Sequence, residues 1–431
     1  LQQVVEQVQN WHFTKENIEY LTSLNEFTPE FLDYLSKIKN HCSIKALPEG
    51  TPVFPREPII SISGPLIEAQ LLETFILNII NHQSLIATKS WQINHAAQGR
   101  PIMEFGARRA QGPDAATYGA RAAVIGGCTS TSNLQAASQF NIPAAGTMAH
   151  AWVESFSDEL SAFQAWAKVY PDKVSLLVDT YDVLKSGVPN AIRVFKQVSA
   201  QGHQPVGIRI DSGDISQLAI KARKMLDDAG FPKAKITASN ALDAHVVKSL
   251  LDEGAPIDNF GIGERLITSS SSPVLSGVYK LAEEKINDQW IPKIKVSDSR
   301  EKITLPGNKQ VYRIYRQDNL HQAIADVIAL ADEHITAPLK VVNANSAATH
   351  ASQVLTNFNA KPLMQEYLGS NASPIENDLF KIQQFSMDQV AELPEATKRL
   401  VNPDRYPVYL TATLAELQEQ LITKAQFTEE H

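Results

Sequence analysis

Residues Val206 to Ile215 read Val-Gly-Ile-Arg-Ile-Asp-Ser-Gly-Asp-Ile, and this stretch decides the fold class of the chain. The apolar segment at its start predicts a buried strand that ends at the polar run Asp211-Ser212-Gly213-Asp214. A helix is predicted directly afterwards, because apolar residues then recur at helical spacing from Ile215 to Ala229. A strand, a charged turn and a helix in this order are typical of the βα unit of a parallel sheet.

The charged residues of this turn have two interpretations. Arg209, Asp211 and Asp214 are gathered at the end of a strand, a grouping that suits an anionic substrate and a divalent cation. Alternatively, Asp211 or Asp214 caps the following helix, as aspartate often does at such turns. The turn by itself leaves both interpretations open.

The same alternation of strands and helices extends to both sides of this unit. Strands are predicted at residues 102–105, 143–148, 174–178, 206–210, 235–238 and 259–262. Helices are predicted at residues 115–125, 134–140, 152–170, 190–200, 215–229 and 243–253. The strands begin roughly 25 to 40 residues apart, which is the rhythm of a parallel sheet closed or nearly closed as a barrel. We therefore predict an α/β fold with an irregular parallel barrel.

The remaining segments are predicted to form a second, mixed α+β domain built from the chain termini. Residues 1–100 have helical apolar spacing, strands at about residues 51–63, and a long helix from residue 66 to about residue 90. Residues 101–285 form the barrel with the active site, and residues 286–431 complete the barrel and the mixed domain. In this last part we expect a hairpin turning at residues 306–309 and a closing helix at residues 414–423. Since the chain opens inside an amphipathic helix without a methionine, we expect residues to precede Leu1 in the gene product.

Composition and charge exclude several classes of protein. With 43% hydrophobic and 20% charged residues among 431, the chain is typical of a globular protein. The net charge of -8 and the lack of a basic tract argue against a nucleic-acid or membrane-surface partner. The longest apolar run contains Glu73 and Asn78 and is too short to span a bilayer. Cys42 and Cys128 form no Cys-x-x-Cys pair, so we expect neither a disulfide framework nor a zinc knot, and a reducing compartment such as the cytoplasm.

Polar residues cluster at the carboxyl end of each predicted strand. In strand order they are Glu104, Arg108 and Arg109; Thr147 and His150; Asp179 and Asp182; Asp211 and Asp214; Ser239 and Asn240; and Gly261, Gly263, Glu264 and Arg265. Barrel active sites are assembled from several loops at this end of the strands. The convergence therefore predicts one active site built from all of these loops.

The last two loops are predicted to bind phosphate. Gly261-Ile262-Gly263 follows a strand, and glycines allow backbone N–H groups to approach an anion, although Gly-x-Gly also marks ordinary tight turns. Ser239-Asn240 would form a second side of the same pocket. A carboxylate at Glu264 beside a phosphate is unfavourable unless Arg265 or Mg²⁺ offsets its charge.

The remaining candidates suit acid–base, phosphoryl and metal chemistry. The imidazole of His150 can act as a base or accept a phosphoryl group, or it simply packs beside Trp152 at the start of a helix. Asp179 and Asp211 could hold Mg²⁺ through oxygen ligands, leaving water and substrate phosphates to complete its shell. Arg209 lies inside its strand and could bind a carboxylate through two parallel N–H bonds, or form an ion pair with one of the two aspartates.

Six stretches of the sequence together resemble the nicotinate phosphoribosyltransferase family. They are Glu104 to Asp114, which reads Glu-Phe-Gly-Ala-Arg-Arg-Ala-Gln-Gly-Pro-Asp, then Gly146 to His150, Asp179 to Asp182, Arg209 to Asp214, Gly261 to Gly263 and Gly277 to Leu281. The Arg-Arg-Ala-Gln-Gly-Pro-Asp run is highly specific, and the stretches keep the family's order. The resemblance implies a type II phosphoribosyltransferase fold, an irregular α/β barrel beside a mixed domain, working as a homodimer.

The resemblance also implies a reaction. Nicotinate and phosphoribosyl pyrophosphate would give nicotinate mononucleotide and pyrophosphate in NAD salvage, with Mg²⁺ and with ATP hydrolysis coupled through a phosphorylated His150. Thr147 and Arg209 would contact nicotinate, Phe105 would stack on its ring, Arg108 would line the same pocket, and Ser239, Asn240, Gly261, Gly263 and Glu264 would hold the 5′-phosphate. Asp179 and Asp211 would hold the metal ion. The family normally opens with an Asp-x-Tyr segment whose tyrosine helps to enclose the nicotinate ring, and the sequence from Leu1 onward has no such opening.

Two alternatives remain open. One is an enzyme of the same architecture that uses nicotinamide or quinolinate, against which the Gly-Thr-x-x-His motif at Gly146 to His150 favours nicotinate. The other is a catalytically silent protein that binds a pyridine or a phosphorylated sugar on the same scaffold. Ligand binding without turnover would distinguish it from the enzyme.

Overall fold

The computed structural model describes residues 1–297, 302–345 and 352–428, and its elements follow in chain order. The strands are β1 (Ser43–Ala46), β2 (Ile60–Ser63), β3 (Ile102–Glu104), β4 (Ser130–Thr131), β5 (Ser175–Leu177), β6 (Gly207–Ile210), β7 (Lys235–Ser239), β8 (Asn259–Ile262), β9 (Glu283–Ile286), β10 (Gln289–Pro292), β11 (Lys309–Arg316), β12 (Asn319–Leu330), β13 (Leu339–Asn343), β14 (Ser352–Leu355), β15 (Phe358–Pro362), β16 (Gln365–Leu368) and β17 (Val408–Thr411). The α-helices are α1 (Gln2–Asn10), α2 (Lys15–Ser23), α3 (Pro29–Lys37), α4 (Leu66–Leu71), α5 (Glu73–Ala96), α6 (Pro113–Ile125), α7 (Leu134–Phe140), α8 (His150–Glu154), α9 (Glu159–Val169), α10 (Val188–Ala200), α11 (Ile215–Asp228), α12 (Ala244–Asp252), α13 (Glu264–Ile267), α14 (Leu379–Ala391) and α15 (Ala412–Thr428). None of the helices described here is both long enough and apolar enough to cross a bilayer.

The chain divides into two compact units. The parallel-sheet unit comprises Asn81–Leu275 and Leu379–Gln384, and the mixed-sheet unit comprises Leu1–Ile80, Ser276–Asp378 and Phe385–His431. The sequence-based divisions at residues 100/101 and 285/286 fell later along the chain than these boundaries. A mixed-sheet unit built from both termini and an α/β unit with a parallel sheet are the architecture that the sequence predicted.

The parallel-sheet unit is organised around a six-stranded sheet with the order β4-β3-β8-β7-β6-β5, in which every neighbouring pair is parallel. One isolated parallel bridge, between Thr131 and Ala144, extends the edge at β4. One face of the inner strands is apolar: Ile208, Ile236 and Phe260 lie on it and are completely buried. Arg209, Thr237 and Ser239 alternate with these residues and lie on the opposite face.

Two predictions for this unit were wrong in detail. Residues 143–148 were predicted to be a strand, but they contribute only the bridge at Ala144, because Pro143 lacks an N–H and the alanines and Gly146 that follow have low strand propensity. The strand that pairs with β3 at this edge of the sheet is β4, whose two residues are too few to produce a periodic pattern. The predicted helix at residues 152–170 is two helices, because Asp158 interrupts it and caps α9 through a hydrogen bond from the Ser161 N–H (2.9 Å).

The last segment of the parallel-sheet unit comes from a distant part of the chain. Leu379 and Ile382, in the first turns of α14, are almost completely buried. The Gln383 amide donates hydrogen bonds to the carbonyl oxygens of Val124, near the end of α6, and Cys128 (3.0 Å). Six residues near the C-terminal end therefore complete the packing of the unit that begins at residue 81.

The mixed-sheet unit contains a six-stranded sheet with the order β14-β13-β17-β12-β11-β15, in which only β12 and β17 are parallel neighbours among the described strands. The same unit also contains the three-stranded sheet β16-β1-β2 and the hairpin of β9 and β10. Arg313 and Asp326 form an ion pair (2.9 Å) that is completely buried inside the larger sheet. The predicted helix from residue 66 is interrupted at Leu72, and the predicted closing helix is the longer α15.

The predicted hairpin turning at residues 306–309 was wrong. Lys309 is already the first residue of β11, which pairs with β12 and β15, and residues 302–305 form no strand. Leu305 instead enters the core, and the Lys309 ammonium binds its carbonyl oxygen (2.9 Å). Because the Leu305 carbonyl group binds a side chain, it does not pair with the backbone of the following strand.

Candidate active site

The guanidinium of Arg209 lies where the carboxyl ends of several strands meet. Ile208 and Ile210, its neighbours in β6, are completely buried, so the alternation of the strand directs Arg209 to the opposite face. Its Nε donates to Ser239 Oγ (2.8 Å) and its Nη1 donates to Thr147 Oγ1 (3.0 Å). These contacts join β6, the end of β7 and the loop before α8 at one cationic group.

The same guanidinium also contacts a carboxylate and an aromatic ring. Its Nη2 donates to Asp211 Oδ1 (2.8 Å), and its Cζ lies 5.4 Å from the centroid of the Phe105 ring. Three of the five N–H groups of Arg209 are therefore used, and one on each terminal nitrogen remains for a ligand. The predicted ion pair with Asp211 is present, and it leaves enough donors for the predicted carboxylate contact.

The two interpretations of the charged turn apply to different aspartates. Asp214 caps α11, because its Oδ1 accepts a hydrogen bond from the Gln217 N–H (3.1 Å). Asp211 caps no helix: its Oδ1 accepts from Arg209 and from the Ser239 hydroxyl. The helix-cap interpretation therefore holds for Asp214, and Asp211 belongs to the site.

Asp179 is buried beside Asp211 and has one oxygen to spare. Its side chain is only 1% exposed, and its Oδ2 accepts from the Asp211 N–H (3.1 Å) and from Ser212 Oγ (2.5 Å). Its Oδ1 is buried without a hydrogen-bond partner among the described residues. Because an unpaired buried carboxylate oxygen is costly, this atom is a natural position for a cation or a donor that belongs to a ligand.

His150 faces both aspartates from the first residue of α8. Its Nε2 lies 4.0 Å from Asp179 Oδ1 and 3.7 Å from Asp211 Oδ2, and its Nδ1 lies 3.1 Å from Thr180 Oγ1. The imidazole is 40% exposed, so a substrate can reach it. Trp152 packs instead on Phe156 and Trp166, which removes the simple packing interpretation for His150.

The two spare carboxylate oxygens satisfy part of the shell of a divalent cation. Asp179 Oδ1 and Asp211 Oδ2 approach the same imidazole edge, and hard cations such as Mg²⁺ prefer oxygen ligands. No group of three or more His, Cys, Asp or Glu side chains in the described ranges is arranged to hold a metal ion alone. A cation at the two aspartates would therefore need oxygen atoms from a substrate or water.

A buried carboxylate, that of Glu104, fixes the loop after β3 through hydrogen bonds. Glu104 Oε1 accepts from the Gly106 N–H, and Oε2 accepts from Thr131 Oγ1 (2.6 Å). Burial raises the pKa of Glu104, and these two hydrogen bonds oppose that effect. The bonds fix the backbone on both sides of Phe105, whereas Arg108, three residues after Phe105, is exposed and makes no hydrogen bond within the described part of the chain.

The Phe105 ring fits only because residue 261 is glycine. A Cβ at Gly261 would lie 2.5 Å and 2.7 Å from two ring carbons of Phe105. At Gly263 a Cβ would lie 3.0 Å from the Phe105 carbonyl oxygen, so this second glycine also allows close approach. The Gly-Ile-Gly stretch thus packs on the aromatic wall of the site, a role that the sequence alone did not indicate.

The ion pairs at the predicted phosphate end join residues that the sequence did not connect. Arg265 was named beside Mg²⁺ as a group that could offset the charge of Glu264, but its Nη1 binds Asp243 Oδ2 (2.7 Å). Adjacent residues of a helical turn point in different directions, so Arg265 and Glu264 cannot share a partner easily. Glu264 instead lies 3.3 Å from Arg109 Nε, in a pair whose side chains are both 59% exposed.

The structure brings most of the predicted site residues together. His150, Asp179, Asp211, Arg209, Thr147, Ser239 and Phe105 form one contact network. Gly261 and Gly263 adjoin it at Phe105. Asn240 and Glu264 are exposed on the neighbouring loops, and Arg108 is exposed after β3.

Sequence reasoning missed four polar partners of this network. They are Thr131, Thr180, Ser212 and Asp243. Thr180 and Ser212 each directly follow one of the predicted catalytic aspartates, and a hydroxyl in that position was the available signal. Thr131 and Asp243 had no such signal, because their partners lie on other loops.

Sequence comparisons identify the relatives of this chain. The sequence model of the nicotinate phosphoribosyltransferase (NAPRTase) family matches residues 101–325, and models of the N-terminal and C-terminal domains of nicotinate phosphoribosyltransferase match residues 1–81 and 308–418. A nicotinate phosphoribosyltransferase of Bacillus subtilis is 43% identical over 95% of this chain and 84% of its own length. One from Dictyostelium discoideum is 33% identical over 98% of this chain and 80% of its own length.

Solved structures agree with these matches. The crystal structure of human nicotinic acid phosphoribosyltransferase aligns with a TM-score of 0.84 at 26% identity, covering 98% of this chain and 91% of the human one. A nicotinate-nucleotide pyrophosphorylase from Pyrococcus furiosus shares the fold, with a TM-score of 0.63 at 24% identity over 81% of each chain. This chain therefore belongs to the nicotinate phosphoribosyltransferase family of enzymes.

Proposed function

We propose that this protein is a nicotinate phosphoribosyltransferase that forms nicotinate mononucleotide and pyrophosphate from nicotinate and phosphoribosyl pyrophosphate, in NAD biosynthesis. The observation that carries the proposal is the environment of Arg209. A guanidinium with two spare N–H groups lies against the face of Phe105 and is held by Thr147, Ser239 and Asp211. A flat aromatic ring that carries a carboxylate matches this combination of an aromatic wall and a fixed cation.

The pocket favours nicotinate over its uncharged amide for an electrostatic reason. Arg209 is partly neutralised by Asp211, and its spare N–H groups gain most from a bidentate anionic partner. Thr147 Oγ1 is oriented by its hydrogen bond from Arg209 and would contact the same carboxylate. Arg108, exposed at the mouth of the pocket, supplies further positive charge in this proposal.

We further propose that ATP hydrolysis is coupled to the reaction through phosphorylation of His150. A ring nitrogen of His150 takes the γ-phosphoryl group as ADP leaves, and later hydrolysis restores the imidazole and releases phosphate. An exposed imidazole beside Thr180, Asp179 and Asp211 supports this role, because its hydroxyl and carboxylate neighbours can orient the ring and stabilise its positive charge. A new dianion at this position would alter the neighbouring loops by charge repulsion.

Mg²⁺ is the metal that this proposal requires, with Asp179 Oδ1 and Asp211 Oδ2 as its protein ligands. When bound, the ion supplies positive charge to the pyrophosphate leaving group. The remaining stabilisation of the transition state is assigned to side chains and loops of the protein. Loss of pyrophosphate passes through an oxocarbenium-like state, so the phosphate loops at Ser239-Asn240 and Gly261 to Glu264 must hold the ribose 5′-phosphate while the site excludes water.

The complete architecture in this proposal is an irregular α/β barrel in a cytoplasmic homodimer. Barrel closure is supported by two contacts between opposite edges of the sheet. Thr147, beyond the β4 edge, contacts Arg209 in β6. His150, also beyond the β4 edge, contacts Asp179, which follows β5. A reducing compartment is supported by Cys42 and Cys128, which are buried free thiols. The dimer is proposed from the family resemblance, and sedimentation equilibrium tests it.

The test is a coupled measurement of both products. Purified protein is incubated with nicotinate, phosphoribosyl pyrophosphate, Mg²⁺ and ATP, and nicotinate mononucleotide and ADP are quantified together. A parallel reaction with labelled ATP measures acid-labile phosphate on the protein, which is the signature of phosphohistidine. The wild type is expected to make nucleotide from nicotinate and not from nicotinamide.

His150→Ala separates the parts of the proposal. The variant is expected to lose protein phosphorylation and the ADP that depends on nicotinate, while it keeps a slow formation of nucleotide. If it is phosphorylated as the wild type is, His150 is not the acceptor. If the wild type binds both substrates and forms no nucleotide, the enzyme assignment fails and the binding-protein alternative replaces it.

A further inference from the structure

An ion pair joins the two loops proposed to hold the ribose phosphate. Asp243 ends the loop that follows β7, and Arg265 lies in the turn that follows β8. Arg265 Nη1 donates to Asp243 Oδ2 (2.7 Å), across 22 residues of sequence. The pair thus connects the segment that carries Ser239 and Asn240 to the segment that carries Gly261 and Gly263.

The loop after β7 needs such a connection because its backbone is strained. Asn240 and Ala241 both have positive φ angles, of 81° and 41°. Asparagine adopts the left-handed region readily, but this conformation costs Ala241 roughly 1–2 kcal/mol and persists only where the surroundings enforce it. Ser239 is fixed at one end of these residues by Arg209, and Asp243 is fixed at the other end.

Asp243 performs two separable functions. Its Oδ1 caps α12 by accepting a hydrogen bond from the Val246 N–H (3.0 Å), while its Oδ2 receives Arg265. Partial burial alone would raise the pKa of Asp243, but the Val246 N–H and Arg265 together lower it, so the carboxylate is ionised. Asparagine caps helices as well as aspartate does, so the cap can be kept while the charge is removed.

A buried lysine strengthens the surroundings of this pair. Lys89 of α5 is 8% exposed, and its ammonium donates to Gln92 Oε1 (2.9 Å) and Ser271 Oγ (2.6 Å), which lies shortly after α13. It also interacts electrostatically with Asp243. Arg265, by direct contact, and Lys89, through space, therefore both act on the Asp243 carboxylate. The segment around α13 is bound at Arg265 by Asp243 and at Ser271 by Lys89.

We propose that Asp243 and Arg265 are positioning residues for the phosphoribosyl subsite, acting as a clamp that sets the distance between the two phosphate loops. The inference rests on the proposed function, because that function supplies the ligand. The clamp touches no reacting atom. Its loss should weaken the binding of phosphoribosyl pyrophosphate and leave the nicotinate pocket, which Phe105 and Arg209 form, unchanged.

Asp243→Asn distinguishes positioning from simple electrostatics. Removing a negative charge near a phosphate site would tighten anion binding if the charge acted only through space. Removing a clamp would weaken that binding, because the ion pair would no longer hold the loop after β7 to the segment after β8. The two accounts therefore predict changes of opposite sign for one conservative substitution.

The experiment measures binding of phosphoribosyl pyrophosphate by calorimetry, in the presence of Mg²⁺, to the wild type, Asp243→Asn and Arg265→Gln. The matched control is Asp158→Asn, which makes the same substitution at the cap of α9, away from the strand ends. Both clamp variants are expected to raise Kd by about fivefold, and the control is expected to leave it unchanged. In turnover, KM for phosphoribosyl pyrophosphate should rise by a similar factor, with KM for nicotinate unchanged.

The outcomes separate this inference from the proposed function. If Asp243→Asn binds phosphoribosyl pyrophosphate as tightly as the wild type or more tightly, the clamp is refuted and the enzyme assignment stands. If the wild type binds this compound without forming nucleotide, the enzyme assignment fails, and the calorimetric comparison still decides on the clamp. Equal rises in both KM values, or a fall in the melting temperature beyond that of Asp158→Asn, would indicate a general structural effect and overturn the inference.

Discussion

Gly261→Ala is the substitution with the most clearly defined expected result. The added methyl carbon would lie 2.5 Å from one ring carbon of Phe105, about 0.9 Å closer than the 3.4 Å at which ordinary van der Waals contact begins. Gly261 is in the buried strand β8, so the ring must yield rather than the backbone. Overpacking of this kind costs about 1–3 kcal/mol.

The displaced ring is the proposed stacking surface for nicotinate. A shift of about 1 Å in a substrate-positioning group can lower the rate by about 100-fold, so kcat/KM for nicotinate is expected to fall by about 10- to 100-fold. KM for phosphoribosyl pyrophosphate is expected to rise less than KM for nicotinate, because Gly261 only begins the proposed phosphate loop, whereas its direct contact is the Phe105 ring. Steady-state kinetics with each substrate varied in turn, together with a melting curve, measure these effects.

Gly230→Ala is the matched control. Gly230 has a φ of 89° and a Cβ there would meet no atom within 4 Å, so the change costs about 1–2 kcal/mol of backbone strain without a clash. It should lower the melting temperature and leave both KM values unchanged. If Gly261→Ala keeps the wild-type kcat/KM for nicotinate, the Phe105 ring is not the wall of the nicotinate pocket and the reasoning is refuted.

Three further predictions concern buried hydrogen bonds and titrating groups. Burial, followed by the neighbouring Asp326, raises the pKa of Glu57 well above its usual 4.5, so the folded state holds this proton more tightly than the unfolded chain does. The stability that this group gives to the wild type is therefore lost as pH rises above 4.5. Denaturant titrations should show the free energy of unfolding of Glu57→Gln rising relative to that of the wild type across that range. A constant difference between the two free energies from about pH 4 to about pH 8 would contradict this. Thr131→Val removes the hydroxyl that donates to buried Glu104 and should cost about 1–3 kcal/mol in chemical unfolding, whereas Thr131→Ser should cost much less. Thr180→Val should reduce acid-labile phosphorylation from labelled ATP by about tenfold while Thr180→Ser retains most of it, and equal phosphorylation of the two variants would exclude a role for the hydroxyl in orienting the imidazole.

The sequence predicted the parallel sheet and the meeting of its strand ends because both follow from local patterns. The strand containing Arg209 has an apolar run, an abrupt polar end and a helix with a capping aspartate, and each signal lies within a few residues. Six such strands were predicted, and parallel pairing was expected to bring the residues that follow them, including His150 and Asp179, to the same end of the sheet; the segment before His150 proved to be a single bridge in that place.

The details that were missed depend on contacts between distant residues. Arg265 was considered as one possible partner of Glu264, yet the direction of each side chain in the turn assigns the two residues to different partners. Strand β4 consists of two residues, and its place in the sheet is set by β3, not by its own propensity. Gly261 was predicted to belong to a phosphate cradle, and its close contact with the Phe105 ring was not predicted.

The late position of Leu379–Gln384 has a consequence for how the protein is made. This segment packs within the unit that begins at residue 81, and Gln383 binds the carbonyl groups of Val124 and Cys128. A growing chain therefore cannot finish its parallel-sheet unit until residue 384 has left the ribosome. Until then the end of α6 has two carbonyl groups without this partner, and the surface that Leu379 and Ile382 cover is exposed to solvent or chaperones.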